Sequence, residues 1–263
     1  NSNAFDEEGM VTDCYFENWA NGFAGYALDG FWGSIKGCVF INTSVDAQYI
    51  GSSGALSSST SITGCTFVLP NSYNQICIAG NGNLISDNVF SIGTTAGASC
   101  IIIYGDAATR ISGNSIEFGA TADISALAIR DPDTCVNNYI NGAGTGIRVL
   151  SESTVVGNII KNIMSDSILI TGDNAIVSNN RIQNGGTATN NLYYNIHIDD
   201  NVNNCVISGN QITNTAVNKP NTGIIEDTGC NSNIITNNSV TGAVTAQITT
   251  VGASTDVSHN ITA

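Results

Sequence analysis

The chain has 263 residues, and only 11% of them are charged, against about a quarter in an average domain. Seven Lys and Arg face 21 Asp and Glu, a net charge of −14. That balance excludes partners gripped by clustered cations, so neither nucleic acid nor an anionic membrane surface is expected. No apolar run approaches the ~18 residues of a membrane span, and membrane insertion is not expected either. No signal peptide is visible, and the first residue is Asn rather than Met. A processed form, or a piece of a larger protein, is the expectation.

Taken in chain order, the sequence repeats a hexapeptide. Val11-Thr-Asp-Cys-Tyr-Phe16 is followed by Ile35-Lys-Gly-Cys-Val-Phe40, Ile62-Thr-Gly-Cys-Thr-Phe67 and Ile85-Ser-Asp-Asn-Val-Phe90. Ile111–Ile116, Cys135–Ile140, Val155–Ile160, Val177–Ile182, Ile207–Ile212, Ile235–Val240 and Val257–Asn260 continue the series. Eleven copies spaced by about 25 residues signal a solenoid, because a strand this short buries its apolar face only by stacking on its neighbours. The predicted fold is all-β: a single-stranded, right-handed parallel β-helix of about eleven coils of roughly 25 residues. It forms one domain over 1–263, with repeats over 11–260.

The columns of this alignment assign most residues to scaffold. The first and sixth positions are apolar and are expected to point inward. The fourth runs Cys14, Cys38, Cys65, then Asn88, Asn114, Asn138, Asn158, Asn180, Asn210, Asn238 and Asn260. An Asn column at a bend bonds amide to amide along the stack while its carbonyls cap turning backbone, and Asn tolerates the left-handed conformation. A second, partial column holds Asn18, Asn42, Asn162, Asn184 and Asn214. The stacked thiols read as reduced, buried core residues, and eight unpaired Cys suggest assembly in a reducing compartment. A metal site at the thiols is disfavoured, since no Cys-x-x-Cys pair or neighbouring His is present.

A second strand recurs in each coil: Ile76-Cys-Ile78, Ile101-Ile-Ile103, Leu127-Ala-Ile129, Ile147-Arg-Val149, Ile168-Leu-Ile170 and Ile196-His-Ile198. The outward position after each Ile-x-Ile includes Arg130, Leu150, Thr171, Asp199 and Asp227. Asp199 and Asp227 would then stand on successive coils, ~4.8 Å apart. That spacing suits a shared proton, a glycosidase carboxylate pair or a Ca²⁺ site. Asp199, Asp227 and the adjoining Glu226 are the candidate catalytic residues. His197 on the same strand, with Tyr193 and Tyr194 stacking on sugar rings, would bind substrate. Arg130 and Arg148, outward on consecutive coils beside Asp131-Pro132-Asp133, form a second candidate binding patch. Trp32 is a third, in an aromatic-rich N-terminal region where packing competes with binding. No capped helical pattern is present, so no helix is expected to close either end.

These coils resemble the parallel β-helix repeat of the pectate-lyase-like superfamily over residues 11–260, its asparagine ladder included. The resemblance implies carbohydrate: polysaccharide lyases, glycosidases, uronan epimerases and the trimeric tailspikes of bacteriophages. It extends to copper-site maturation and archaeal surface proteins, which share no activity. The expected function is a tailspike-like receptor-binding protein, homotrimeric, on a virion tail or cell surface, that recognises polysaccharide and in the enzymatic version depolymerises it. A secreted lyase or glycosidase and a non-catalytic adhesion scaffold are the alternatives. Few cations favour a neutral glycan over a polyuronate.

Overall fold

The computed structural model describes residues 9–17, 25–29, 33–41, 47–51, 60–69, 76–79, 82–93, 99–104, 108–119, 124–150 and 152–263. Its strands form three walls, and every pairing is parallel and joins equivalent strands of adjacent coils. The first wall has eleven strands, from Gly9–Thr12 to Asp256–Ser258. The second has eleven, from Tyr15–Glu17 to Ile261–Thr262, and the third has ten, from Gly25–Asp29 to Ala246–Thr249. The chain visits the walls in that order in each coil, which makes the molecule a parallel β-helix of about the predicted coil number. Among the described residues there is no helix, so none is long and apolar enough to cross a membrane.

The hexapeptide is not one strand but two, and it supplies the wall that the sequence alone left unplaced. Ile85 lies in Leu84–Ser86 of the first wall, Phe90 in Val89–Ile92 of the second, and the chain bends between them. The bend sits at the third position, which has φ between +51° and +69° in all eleven copies, from Asp13 to His259. Only Gly, Asp, Asn and one His occupy it, the residues that enter the left-handed region most readily. The left-handed conformation expected of the fourth-position Asn therefore belongs to the residue before it. In several coils a Gly at this position follows an Asp or Asn one coil earlier. A Cβ on Gly113 would lie 2.5 Å from Asp87 Oδ1, and one on Gly209 2.5 Å from Asn179 Oδ1. The carboxyl or amide of one coil takes the space a side chain would need in the next.

With the bend made, the fourth side chain turns inward, and its polar atoms must find partners. Asn114 shows the pattern: Nδ2 donates to Asn138 Oδ1 at 2.9 Å and to the Ile85 carbonyl at 2.9 Å, while Oδ1 accepts from the backbone and Nδ2 of Asn88 at 3.1 and 3.0 Å. This ladder runs unbroken from Asn88 to Asn260. Cys38 and Cys65 continue it as buried free thiols that reach carbonyls at 3.5–3.8 Å, and Cys14 is exposed. Cys100, Cys135, Cys205 and Cys230 are also free and buried. The second Asn column is shorter. Asn184 donates to Asn162 at 3.3 Å and Asn162 to Asn141 at 2.9 Å, whereas Asn214 turns inward to a buried pair with Asn195. Asn18 and Asn42 lie outside the described residues.

The remaining core is apolar columns: Ile35 to Ile235 on the first wall, Phe40 to Val240 on the second, Ile76 to Ile224 on the third. Phe16, Phe40, Phe67 and Phe90 stack with ring centroids 4.7–4.9 Å apart and ring planes within 6° of parallel. Isolated rings prefer an offset or an edge. Here the strand spacing sets parallel stacking, since identical residues repeat at the ladder step.

Candidate functional site

Outward residues of the third wall form a column set by strand pairing: Arg130 pairs with Arg148, Arg148 with Leu169, Leu169 with His197 and His197 with Ile225. One sequence register is thereby corrected. Ile129, not Leu127, is level with Ile147, so Arg130 stands beside Arg148 rather than Leu150. The tight turn at Asp131, with φ +57°, takes the place of the third apolar residue of that strand. Further along, Ile198 pairs with Glu226, which leaves Asp199 and Asp227 level at the mouths of the turns that follow.

His197 is the centre of the arrangement. Its Nδ1 is 2.9 Å from Asp166 Oδ2 on the preceding coil, and its Nε2 is 2.9 Å from Asp227 Oδ2 on the following one. The Asp166 carboxylate is itself anchored, because Oδ1 accepts the Tyr194 backbone N–H at 2.9 Å. The Tyr194 ring meets the imidazole edge-on at 4.7 Å. Burial alone would lower the histidine's proton affinity, but the two carboxylates outweigh it and push the pKa up to about 9. Both ring nitrogens can donate at once only in the imidazolium form. Burial, then Asp227 and Asp166, raises the Tyr194 pKa. Asp199 completes the cluster: one ligand atom each from His197, Asp199 and Asp227 lie within 4.8 Å of one another.

The other predicted residues fall elsewhere. Glu226 occupies the inward column and is 1% exposed, so it does not flank the outer cluster. Its Oε1 accepts from Asn233 and Thr255 at 2.6 Å, and its Oε2 from the Val251 and Gly252 backbone at 3.1 and 2.9 Å. Burial would raise its pKa, yet these four donors hold it below the usual carboxylate value. Glu226 thus fastens the final turn to the core. Arg130 and Arg148 both bind the Asp131 carboxylate, at 3.0 and 2.8 Å. Leu169 separates this patch from His197 in the column. Tyr193 is half-buried beside Tyr194, and Trp32 lies outside the described residues. Asp166 went unread in the sequence because it sits in a turn of variable length. A carboxylate two residues before the Ile-x-Ile strand, one coil below a strand His, was the available signal.

A groove of about 430 Å³ opens where the second wall turns toward the third, lined by Phe118, Asn141, Asn162, Met164, Thr187 and Ala188 among others. Met164 and Asp166 share one turn, and that turn stacks on Gly144 and Gly146 through backbone bonds of Ser165 and Asp166. Through that turn the groove's amides and apolar surface reach the Asp166 edge of the cluster.

Comparison with known proteins places the fold. The family model described as right-handed β-helix region matches residues 21–182, and the chain belongs to that family. Among solved structures it is similar to a tailspike protein mutant of E. coli bacteriophage HK620 in complex with pentasaccharide. The TM-score is 0.67 at 12% identity, covering 97% of this chain and 60% of that one. A double mutant of the same tailspike gives 0.63 at 13%, covering 97% and 49%. The surface protein and adhesin PfbA of Streptococcus pneumoniae gives 0.49 at 13%, covering 94% and 88%. This chain spans about 60% of the first tailspike chain and about half of the second. No curated protein matches.

Proposed function

We propose that this chain is a glycan-recognising β-helix of the tailspike or surface-adhesin kind, and that its sugar site is the third-wall face around Asp166, His197, Asp199 and Asp227. The observation that carries the reading is the His197 cluster. Three carboxylates and an imidazole from three coils converge on an outward face, with His197 held between Asp166 and Asp227, in a chain where only 11% of residues are charged. The carboxylates accept from sugar hydroxyls, and Tyr194 and the groove's apolar residues cover ring faces. In the enzymatic version of this proposal, Asp199 and Asp227 act as the acid and nucleophile pair. Oxygens within 4.8 Å suit a retaining arrangement better than an inverting one, which needs about 6.5 Å or more. A uronate lyase is less well supported, because Arg130 and Arg148 are both engaged by Asp131.

In this proposal the protein acts as a homotrimer on a virion tail or cell surface. Exposed apolar residues on the first wall (Ile176, Ile234) and the second (Val89, Ile159) are surface that such an assembly would cover. Sizing then gives about three times 27.2 kDa, and a monomer overturns the assembly part of the proposal. The functional test is retention of the folded chain on immobilised capsular polysaccharides and lipopolysaccharides, with assay for new reducing ends. Retention that falls at least tenfold in Asp227→Asn supports the site. Retention unchanged in both Asp199→Asn and Asp227→Asn, or none on a broad panel, refutes it.

A further inference from the structure

We infer that His197, Asp199 and Asp227 form a binding site for a divalent transition metal of the zinc type. The inference deepens the glycan reading, since the ion would be the group that meets the sugar. The donor set is mixed: one imidazole nitrogen and two carboxylates, from two adjacent coils, with ligand atoms within 4.8 Å of one another. Zinc is held about 2.0–2.2 Å from such ligands, so the trio, whose ligand atoms lie within 4.8 Å of one another, would close on the ion by small side-chain rotations. Three protein ligands leave a fourth position open, the arrangement of sites that bind an exchangeable oxygen ligand.

What separates this cluster from an ordinary group of surface acids is the far side of the imidazole. Metal-bound histidines hand their other N–H to a carboxylate or carbonyl, which fixes the tautomer and aims the free nitrogen. His197 Nδ1 faces Asp166 Oδ2 at 2.9 Å, and Asp166 does not belong to the ligand trio. Its second oxygen is fixed by the Tyr194 backbone, so the orienting group is rigid. Tyr194 packs edge-on against the ring and stops it from swinging. Nε2 is thereby aimed at the space between Asp199 and Asp227. The ion takes the place of the proton that now joins Nε2 to Asp227, and that proton leaves to solvent. A nitrogen in the donor set favours zinc, cobalt or nickel over calcium, which prefers six to eight oxygens. The calcium expected from the carboxylates alone gives way to a borderline ion. In the assembled site the open position takes a sugar hydroxyl.

The chain holds two histidines, His197 and His259, so one titration carries its own control. Zinc is added to the unmodified protein while the imidazole nitrogens are followed by ¹⁵N NMR. The inference predicts a saturable shift at His197 Nε2 at micromolar zinc, a protonated Nδ1 throughout, and no change at His259. Asp166→Asn, which leaves all three ligands in place, should weaken zinc about tenfold to a hundredfold. Calcium at the same concentration should produce no shift at Nε2. Equal response of both histidines, or no saturable response at His197, overturns the metal site. The glycan reading is scored apart, by polysaccharide retention with and without chelator. Zinc binding without retention leaves the metal site standing and removes the sugar. Retention that chelator does not reduce removes the metal from sugar recognition.

Discussion

Replacing Asn158 by Ala tests the ladder as the device that holds coil to coil. Asn158 is fully buried. Its Nδ2 donates to the Cys135 carbonyl at 2.9 Å and to Asn180 Oδ1 at 3.0 Å, and its Oδ1 accepts the Asn138 backbone N–H at 2.9 Å and Asn138 Nδ2 at 3.0 Å. Two of the four partners keep another bond: Asn180 Oδ1 still accepts the Asn158 N–H, and Asn138 Nδ2 still donates to Ile111. The Cys135 carbonyl also keeps a donor, because the parallel register of Cys135 with Val155 puts the Val156 N–H on it, so the Asn138 N–H is the group stranded in a dry core. At roughly 1–3 kcal/mol for the stranded group, with about 1 kcal/mol for the net loss of the other bonds, the expected cost is about 3 kcal/mol. Asn162→Ala is the control: its amide ladder is exposed, and the cost is that of an Ala at positive φ, about 1–2 kcal/mol. Asn158→Cys should recover part of the loss, since Cys65 reaches equivalent carbonyls by its thiol. Urea unfolding followed by circular dichroism measures the totals, and amide exchange localises them, because a repeat array can open in parts. A loss below about 1 kcal/mol, or equal losses at Asn158 and Asn162, would refute the reasoning.

Three further outcomes follow from the same contacts. His197 has its pKa raised to about 9 in the folded chain, so its contribution is fully present below pH ~6.5 and is lost as pH rises through about 9. The amount is ~3 kcal/mol, and thermal melts between pH 6 and 10 should show a decline that His197→Gln removes. Glu226 has a depressed pKa, so its stabilisation is present above the ordinary carboxylate value and disappears as pH falls through the lowered one. Glu226→Gln should cost about 2–4 kcal/mol at neutral pH, because an amide nitrogen cannot accept the bonds the carboxylate takes, and should flatten the acid limb of stability. Phe67→Ala leaves a void between Phe40 and Phe90 and should cost about 3–5 kcal/mol by urea titration.

The scaffold was largely legible because a coil cannot be buried alone: each column must repeat its residue type, and repetition is visible in sequence. The division of the hexapeptide was harder to read. Within one straight strand, positions one and six face opposite ways, so both being apolar already required a bend, and the Gly, Asp and Asn at position three marked it. Register on the third wall misled at Leu127–Arg130, where two frames both alternate. The turn at Asp131 decides between them, and apolar pattern does not see it. Asp199 and Asp227 were placed level by the pattern, and strand pairing puts them there. Glu226 was misjudged for a related reason. It takes the inward slot that Ile198 holds one coil earlier, and a carboxylate there looks outward until its four donors are known. Asp166 was missed because turns between the second and third walls vary in length, and no periodicity runs through them.

The most direct measurement is a hydrogen-exchange footprint of the chain with a retained polysaccharide bound. The proposal predicts slowed exchange confined to the third-wall face: residues 164–170, 194–200 and 222–229, with the groove at 141–144 and 186–188. Slowed exchange centred on the first wall, or a bound glycan that leaves these segments unchanged, would contradict it.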